Sequence, residues 1–594
     1  MKTPKTKIIF FISYLFSIFA AGAVLPLAFA PYNFWPLAIL SPAYLLWAWM
    51  DPKLNTYFLF DPQYCHSKSS TSKYCTSKYF IARYFNFFHS QSKQAFLIGF
   101  IYGLGMFGVG VSWVFVSIHR FGNTEAPLAA FLTAVMVSLL ALLTGFQGYI
   151  LKRFFKGSNT TLCLLGFPCL WVLFEWFRSI YFTGFPWLFL GYTQLNTPLA
   201  GFAPIASVYA VSLAVAMSSG ALILLLLNFS TRSQLTRTLH NPKSMQESLA
   251  LERRNLCNPS LETKNTQYPR KILTLLSLVV LAGLWGGGEF LRQHPWTETQ
   301  GRDYTVSLVQ GNISPVDKFA QVDPIQAARN TYVALSTDHW TSDLIIWPEN
   351  AIAYPLPMVQ PFLNELKNMA QMNKATLITG LQTIMHNRDY HNSMIALGEG
   401  SGIYHKRHLV PFGDYLPLEG SLRGLINFFD IPMSSFVAGP QVQTLLKAGD
   451  LNIAPLICYE IAFPGLVRET TQNANVIVTV SEDGWFGDSF GPHQHLEIAR
   501  MRALETGRPL LRATTSGISA IINNKGEFLT VSPQFQALVL KGTFKTVKGE
   551  TPWMKFGLIP LFVFLVIGFY FPGRFFFIQA FKGIKKRFTE ELRV

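Results

Sequence analysis

Long apolar runs separated by shorter polar ones fill the first half of the chain, and the pattern changes near residue 290. A helix that crosses a bilayer core needs about 20 mostly apolar residues. Runs of that kind lie at about 8–28, 33–50, 94–118, 127–150, 159–180, 204–228, 272–290 and 555–573, the last interrupted by Pro560, Pro572 and Arg574. They predict seven spans in an N-terminal membrane domain over 1–290 and one more in a C-terminal segment over 553–594. The first run follows Lys2, Lys5 and Lys7 and reaches Ala28-Phe29-Ala30, which imitates a secretory cleavage site. It runs on too far for a typical signal, and a second apolar run begins directly after Pro31, so a membrane hairpin is expected.

From 291 to 552 the pattern is different. Short strand-like runs occur at 304–310, 343–347, 375–382, 392–398, 452–458, 475–481 and 518–523, with amphipathic helical stretches at 324–336, 361–373 and 493–507. Mixed elements of this spacing predict a layered α/β domain. The expected class is therefore a polytopic α-helical membrane protein with an inserted α/β domain. Half of the residues being apolar agrees with this.

The formal net charge of +16 admits a nucleic-acid reading, but the basic residues sit in loops between apolar runs rather than on one folded module. They alternate along the chain. The N-terminus, residues 51–93, 151–158 and 229–271, and the C-terminus are rich in Lys and Arg. Residues 29–32 and 181–203 have none, and 119–126 has only Arg120. The positive-inside rule then places both termini in the cytoplasm and the 291–552 domain outside. The polar loops at 60–79 and 229–271 read as locally disordered segments without chemistry. The loop at 181–203 is aromatic and uncharged, and reads equally as an interfacial belt or as a lipid-facing wall of a site.

Of the six cysteines, Cys65, Cys75 and Cys257 lie in polar loops, Cys163 and Cys169 in an apolar run, and Cys458 alone in the α/β part. That distribution is not a disulfide framework. His493 and His495 alone make a poor metal site, and hydrogen bonding is their expected role. No metal and no cofactor is expected.

Cys458 ends the apolar run Asn452–Ile457, where a strand gives way to a loop. Free cysteine is most often a buried structural residue, so its neighbours decide. Leu344–Trp347 is a second buried run, stopped by Pro348, which delivers Glu349; Tyr404–Asp414 offers Lys406. A carboxylate to take the thiol proton, an amine to hold the charge on a carbonyl oxygen, and a thiol make a set suited to acyl transfer.

The segments Trp347-Pro348-Glu349-Asn350, Tyr404 to Pro417 with Lys406, and Ile457-Cys458-Tyr459-Glu460 resemble, in order, the Glu-Lys-Cys triad motifs of the nitrilase superfamily. With the membrane runs, Thr183–Gln194, Val309–Ile313, Trp485–His495 and Ala499–Gly517, the chain resembles the apolipoprotein N-acyltransferase family over nearly its whole length. The resemblance implies an α-β-β-α sandwich as the extracytoplasmic domain of a bacterial inner-membrane protein. It implies Glu349 as base, Lys406 as oxyanion stabiliser and Cys458 as nucleophile. It also implies a phospholipid acyl donor, a diacylglyceryl apolipoprotein acceptor and a thioester intermediate. Asp414, Tyr459 and Glu460 are candidate helpers. Trp187, Tyr192, Trp485 and Phe486 are candidates for a lipid-binding wall and gate. Where the family usually carries a second Glu, this chain has Asp414, one methylene shorter, so its contact with Lys406 is expected to be longer or to need a backbone shift. A tethered amidase that passes its acyl group to water, and a silent membrane scaffold, are the competing readings, and a monomer is the default assembly.

Overall fold

The computed structural model describes residues 4–51, 90–155, 157–239, 270–319, 323–385, 389–417 and 435–571. The 60–79 loop, most of 229–271, Cys65, Cys75, Cys257 and the basic C-terminal tail lie outside the described residues.

Helices form where the apolar runs predict them: α1 (Pro4–Val24), α2 (Leu37–Met50), α3 (Gln91–Gly110), α4 (Ala126–Phe154), α5 (Asn159–Arg178), α6 (Ala203–Leu239) and α7 (Arg270–Gln293). Among the described residues, six helical segments are long and apolar enough to cross a membrane. The other two expected spans are shorter apolar helices, α2 and the helix Ile559–Phe571. At 1.5 Å per residue the 14 residues of α2 rise about 21 Å, because the chain after α1 spends Leu25–Ala28 on a 3-10 turn and residues 29–36 on further turns before the helix starts. Ala28, Phe29 and Ala30 are buried in the core there. Residues 94–118, expected as one span, break after Gly110 into the short turns Trp113–Val116 and Ser117–Phe121.

Small residues let the helices touch. A Cβ at Gly99 would lie 2.3 Å from the Thr144 carbonyl oxygen of α4, and one at Gly22 would lie 2.0 Å from that of Tyr102 in α3. Close backbone approach of this kind is the usual source of helix association where burial from water contributes nothing.

The α/β part is two seven-stranded sheets. One runs β14 (Leu538–Lys548), β1 (Glu298–Gln310), β2 (Leu344–Ile346), β4 (Thr376–Ile384), β5 (Tyr390–Gly398), β7 (Ile403–His405), with β3 (Ile352–Pro355) on β4. The other runs β13 (Phe528–Val531), β12 (Ala520–Ile522), β11 (Leu510–Thr514), β10 (Val476–Ser481), β9 (Leu451–Ile457), β8 (Leu446–Ala448), β6 (Gly400–Ser401). Alternation sets the layers. Val306 and Leu308 of β1 meet Val476, Val478 and Val480 of β10 between the sheets, while Val309 faces outward onto α8 (Leu356–Met372). On the far side, Ala454, Leu456, Ile477 and Leu510 face α9 (Phe490–Thr506) and join the same core as the membrane helices. The sandwich is α-β-β-α, with its second helical layer pressed against the bundle.

That layer is stitched to the bundle by polar groups. α6 is broken at Ala206 and Ser207, where Ser207 has φ of +66°. Glu505 of α9 accepts hydrogen bonds there from Ser207 Oγ at 2.7 Å and Val208 N–H at 2.6 Å, and pairs with Arg502 at 2.9 Å. Breaking a buried pair by removing one partner costs about 3–5 kcal/mol. Glu505→Ala is accordingly expected to lower the apparent Tm of the detergent-solubilised protein far more than Ser207→Ala, whose single hydrogen bond is worth about 1 kcal/mol. Equal melting of the two variants would contradict the assigned role.

Candidate active site

Four strand ends meet at one side of the sandwich. β2 ends at Ile346, the Trp347 N–H bonds the Ile378 carbonyl of β4, and Pro348 then turns the chain so that Glu349 follows. β7 ends at His405 and is followed by Lys406, whose main-chain N–H bonds the Asn392 carbonyl. β9 and β10 are parallel, with Ile457 opposite Val480, so Cys458 and Ser481 stand side by side where the pairing stops. Cys458 has φ of +52°, a left-handed conformation that a residue with a Cβ adopts only when its surroundings enforce it. It is half-buried, and Glu349, Lys406, Asp414 and Glu460 around it are buried.

Glu349 is held by three donors. Its Oε1 accepts from Asn392 Nδ2 at 2.8 Å and from Lys406 Nζ at 3.4 Å, and its Oε2 accepts from the Glu482 N–H at 2.9 Å. Lys406, 1% exposed, also pairs with Asp414 Oδ2 at 2.7 Å. The shorter acid at 414 thus makes a close contact, the second of the two outcomes expected for it, a shift of backbone rather than a longer distance. A turn provides the reach: Phe412 has φ of +63°, Asp414 N–H bonds the Val410 carbonyl, and Asp414 Oδ2 accepts from Val410 N–H at 2.7 Å.

Glu460 ties the thiol's strand to the lysine's loop. One oxygen accepts from Ile457 N–H at 2.8 Å, directly before Cys458. The other accepts from Tyr404 OH at 2.9 Å and from Arg407 and His408 N–H at 2.7 and 3.1 Å, on either side of Lys406. Burial raises the Glu460 carboxyl above its usual range, and the main-chain donors and the Lys406 ammonium pull it back.

Beneath Cys458 lies a cluster most of which the sequence did not single out. His495 Nε2 is 3.2 Å from the Cys458 carbonyl oxygen, and its Nδ1 is 2.9 Å from Asp483 Oδ1. Asp483 also accepts from Arg512 at 2.5 Å and from Ser481 Oγ at 2.7 Å. Burial opposes the Asp483 charge, but Arg512 and His495 outweigh it and hold the carboxyl far below its usual range. His495 thus hydrogen-bonds as expected, while His493, two residues away, takes no part in this cluster. Asn392, Asp483 and Arg512 lie within strand-like or unassigned sequence that gave no sign of a role; the pairing of β5 and the turn after β10 bring them in.

The aromatic candidates do not all gather. Trp187 stacks on Tyr459 at 6.4 Å between centroids, and Phe486 lies edge-on to Trp187 at 6.5 Å and to Trp113 at 4.7 Å. Trp113, from the break after α3, belongs to this aromatic cluster, and hydropathy hid it inside an expected span. Phe185 extends the cluster, stacked on Trp187 at 6.0 Å. Trp485 turns away and packs on Phe121 at 5.9 Å, its carbonyl accepting from Ser117 Oγ. Tyr192 is deeper, bonded to Arg502 at 3.1 Å and stacked on Phe189. The loop bearing Trp187 is fixed to the α/β part by Tyr459 OH on the Gly184 carbonyl at 3.0 Å and His408 Nε2 at 2.7 Å from that of Thr183.

Electrostatics define what the set can do. Burial and the neighbouring Glu349 carboxylate push the Cys458 thiol far above its usual range, against the opposing pull of the Lys406 ammonium and the Ser481 hydroxyl. Burial disfavours the Lys406 charge, but Asp414 and Glu349 more than compensate and raise it. The resting pair is thus a neutral thiol beside a permanent cation. Such a thiol is a nucleophile only if a base removes its proton during attack.

Two family models match this chain: the apolipoprotein N-acyltransferase N-terminal domain over residues 78–221, and carbon-nitrogen hydrolase over 305–547. Its relatives include the apolipoprotein N-acyltransferase of Coxiella burnetii, 37% identical over 92% of this chain and 97% of the relative. That of Pseudomonas paraeruginosa is 37% identical over 91% and 92%, and that of Vibrio cholerae 35% over 93% and 95%.

The thiol's titration supplies a direct check. Alkylation of Cys458 by iodoacetamide is expected to rise with pH well past the range of an ordinary cysteine. Lys406→Met removes a cation that favours the thiolate, so labelling at pH about 8 should fall about tenfold for each pH unit by which the titration moves up. Faster labelling of that variant would contradict the assigned electrostatics.

Proposed function

The chain belongs to the apolipoprotein N-acyltransferase family, and we propose that it moves a fatty acyl chain from a membrane phospholipid to the α-amine of an S-diacylglyceryl cysteine. The observation that carries this reading is the Lys406 ammonium after β7, held between Glu349 and Asp414 and facing Cys458 after β9.

In the first half-reaction Glu349 takes the Cys458 proton as the sulfur attacks the ester carbonyl carbon. Lys406 and the Tyr459 main-chain N–H stabilise the oxyanion. The carbon–oxygen bond then breaks, Glu349 returns the proton to the departing lysophospholipid oxygen, and a thioester remains on Cys458. In the second half-reaction the acceptor amine attacks the thioester carbon and Glu349 accepts a proton from it. The carbon–sulfur bond breaks, Glu349 passes that proton to the departing sulfur, and an amide leaves. Asp414 orients Lys406, and Glu460 keeps the segments of Lys406 and Cys458 in register.

Both substrates are anchored in lipid, which fits a site placed against a helical bundle. Trp187, Phe486, Tyr459 and Trp113 form the wall along which acyl chains enter. Trp485 and Tyr192 support that wall from behind. The α/β part stands on the end of the bundle that carries the charge-poor loop 181–203. The positive-inside rule supports a bacterial inner-membrane protein with that end outside and both termini in the cytoplasm. We further take 1–290, 291–552 and 553–594 as membrane domain, catalytic domain and C-terminal anchor, acting as a monomer.

The test is mass spectrometry of an S-diacylglyceryl-cysteine peptide incubated with the purified protein and phospholipid. The peptide is expected to gain one acyl group on its α-amine, and Glu349→Gln to slow the gain by about 10²–10⁴-fold. Release of free fatty acid with an unmodified peptide would make the protein a hydrolase instead.

A further inference from the structure

A second buried ammonium lies beside Glu349 and is not used by the reaction above. Lys318, 3% exposed, belongs to the short helix Pro315–Phe319 that follows the end of β1. Its Nζ donates to the main-chain carbonyl of Glu349 at 3.0 Å, to Thr515 Oγ1 at 3.2 Å and to a carboxylate oxygen of Glu482. The circuit closes on the same residue, because the N–H of Glu482 donates to Glu349 Oε2 at 2.9 Å. One ion pair therefore grips Glu349 at both its carbonyl and its carboxylate. The surroundings hold the pair still. Asn312 N–H bonds the Thr515 carbonyl at 2.7 Å, and a Cβ at Gly484 would come within 2.9 Å of Glu482 Oε1.

We propose that Lys318 and Glu482 are positioning residues of the acyl-transfer reaction, a buried ion pair that fixes Glu349 and sets the proton affinity it has as the base. The proposal rests on the reading of Glu349 as that base.

The pair acts through charge balance in a buried medium that screens little. Burial raises the Glu482 carboxyl and Lys318 counters it; burial disfavours the Lys318 charge, and Glu482 with Tyr332 and Glu349 outweighs that. The titratable groups facing the pair are Glu349, Tyr332 and each other. Lys406 is already committed to Asp414 and Glu349. Without the Lys318 ammonium, the Glu482 carboxylate becomes an uncompensated like charge beside Glu349. Two buried carboxylates with no cation between them oppose each other's charge, so the variant is expected to need a higher pH before its base is free. Without the Glu482 charge, the remaining ammonium favours ionised Glu349, and the effect reverses.

The experiment is the pH dependence, between about 5 and 9, of the rate of acyl-enzyme formation by the full-length protein in phospholipid–detergent micelles, read by intact mass. Lys318→Met is expected to move the acid limb of the profile up by about one pH unit or more. Glu482→Gln should move it down, and the double variant should return it to the wild-type position. Should Lys318→Met not fold, the near-isosteric Glu482→Gln decides alone by its downward shift. A merely structural role lowers the rate at every pH and leaves the limb in place; a limb that does not move in opposite directions in the two single variants overturns the proposal. Failure of the underlying reading is distinguishable, since Glu349→Gln would then keep the wild-type rate and limb.

Discussion

An ammonium buried in a protein must be paired, and in this chain that requirement shapes the site. Lys406 can remain charged beside a neutral thiol only because Asp414 and Glu349 flank it. Glu349 in turn has both carboxylate oxygens held, by Asn392, Lys406 and the Glu482 N–H. Glu349, Lys406 and Cys458 each stand just past the end of a strand. The sandwich thus supplies rigid mounts on one side, and the half-buried Cys458 is reachable from the other.

The same helix that backs Cys458 also joins the two halves of the molecule. α9 sends His495 to the Cys458 carbonyl, Gln494 to Trp187 Nε1 at 2.7 Å, Arg502 to Tyr192 and Glu505 to the break in α6. One helix thus contacts both the bundle and the residue bearing the thiol. This arrangement joins the aromatic cluster around Trp187 to a backbone held in a left-handed conformation at Cys458.

Much of this was legible in the order of residues. Apolar runs of spanning length mark the helices because a bilayer admits few other solutions, and Val476–Ser481 reads as a buried strand because both of its faces are covered. Cys458, Glu349 and Lys406 could be picked out because each follows such a run or turn. Residues joined only by tertiary pairing were not legible. Asn392 looks like any polar position in a strand, Trp113 like part of a continuous span, and the Asp414 turn depends on a left-handed Phe412. Length alone also misled at α2, where the apolar run from 33 includes a turn that the helix does not use.

The central claim is that the acyl group rests on the Cys458 sulfur between donor and acceptor. Intact mass of the protein after exposure to phospholipid vesicles without acceptor measures this most directly. The account predicts a gain of one acyl chain that hydroxylamine removes, present in the wild type and absent from Cys458→Ala. A wild-type protein that acylates peptide yet never carries the adduct, or an adduct that survives in Cys458→Ala, would contradict it.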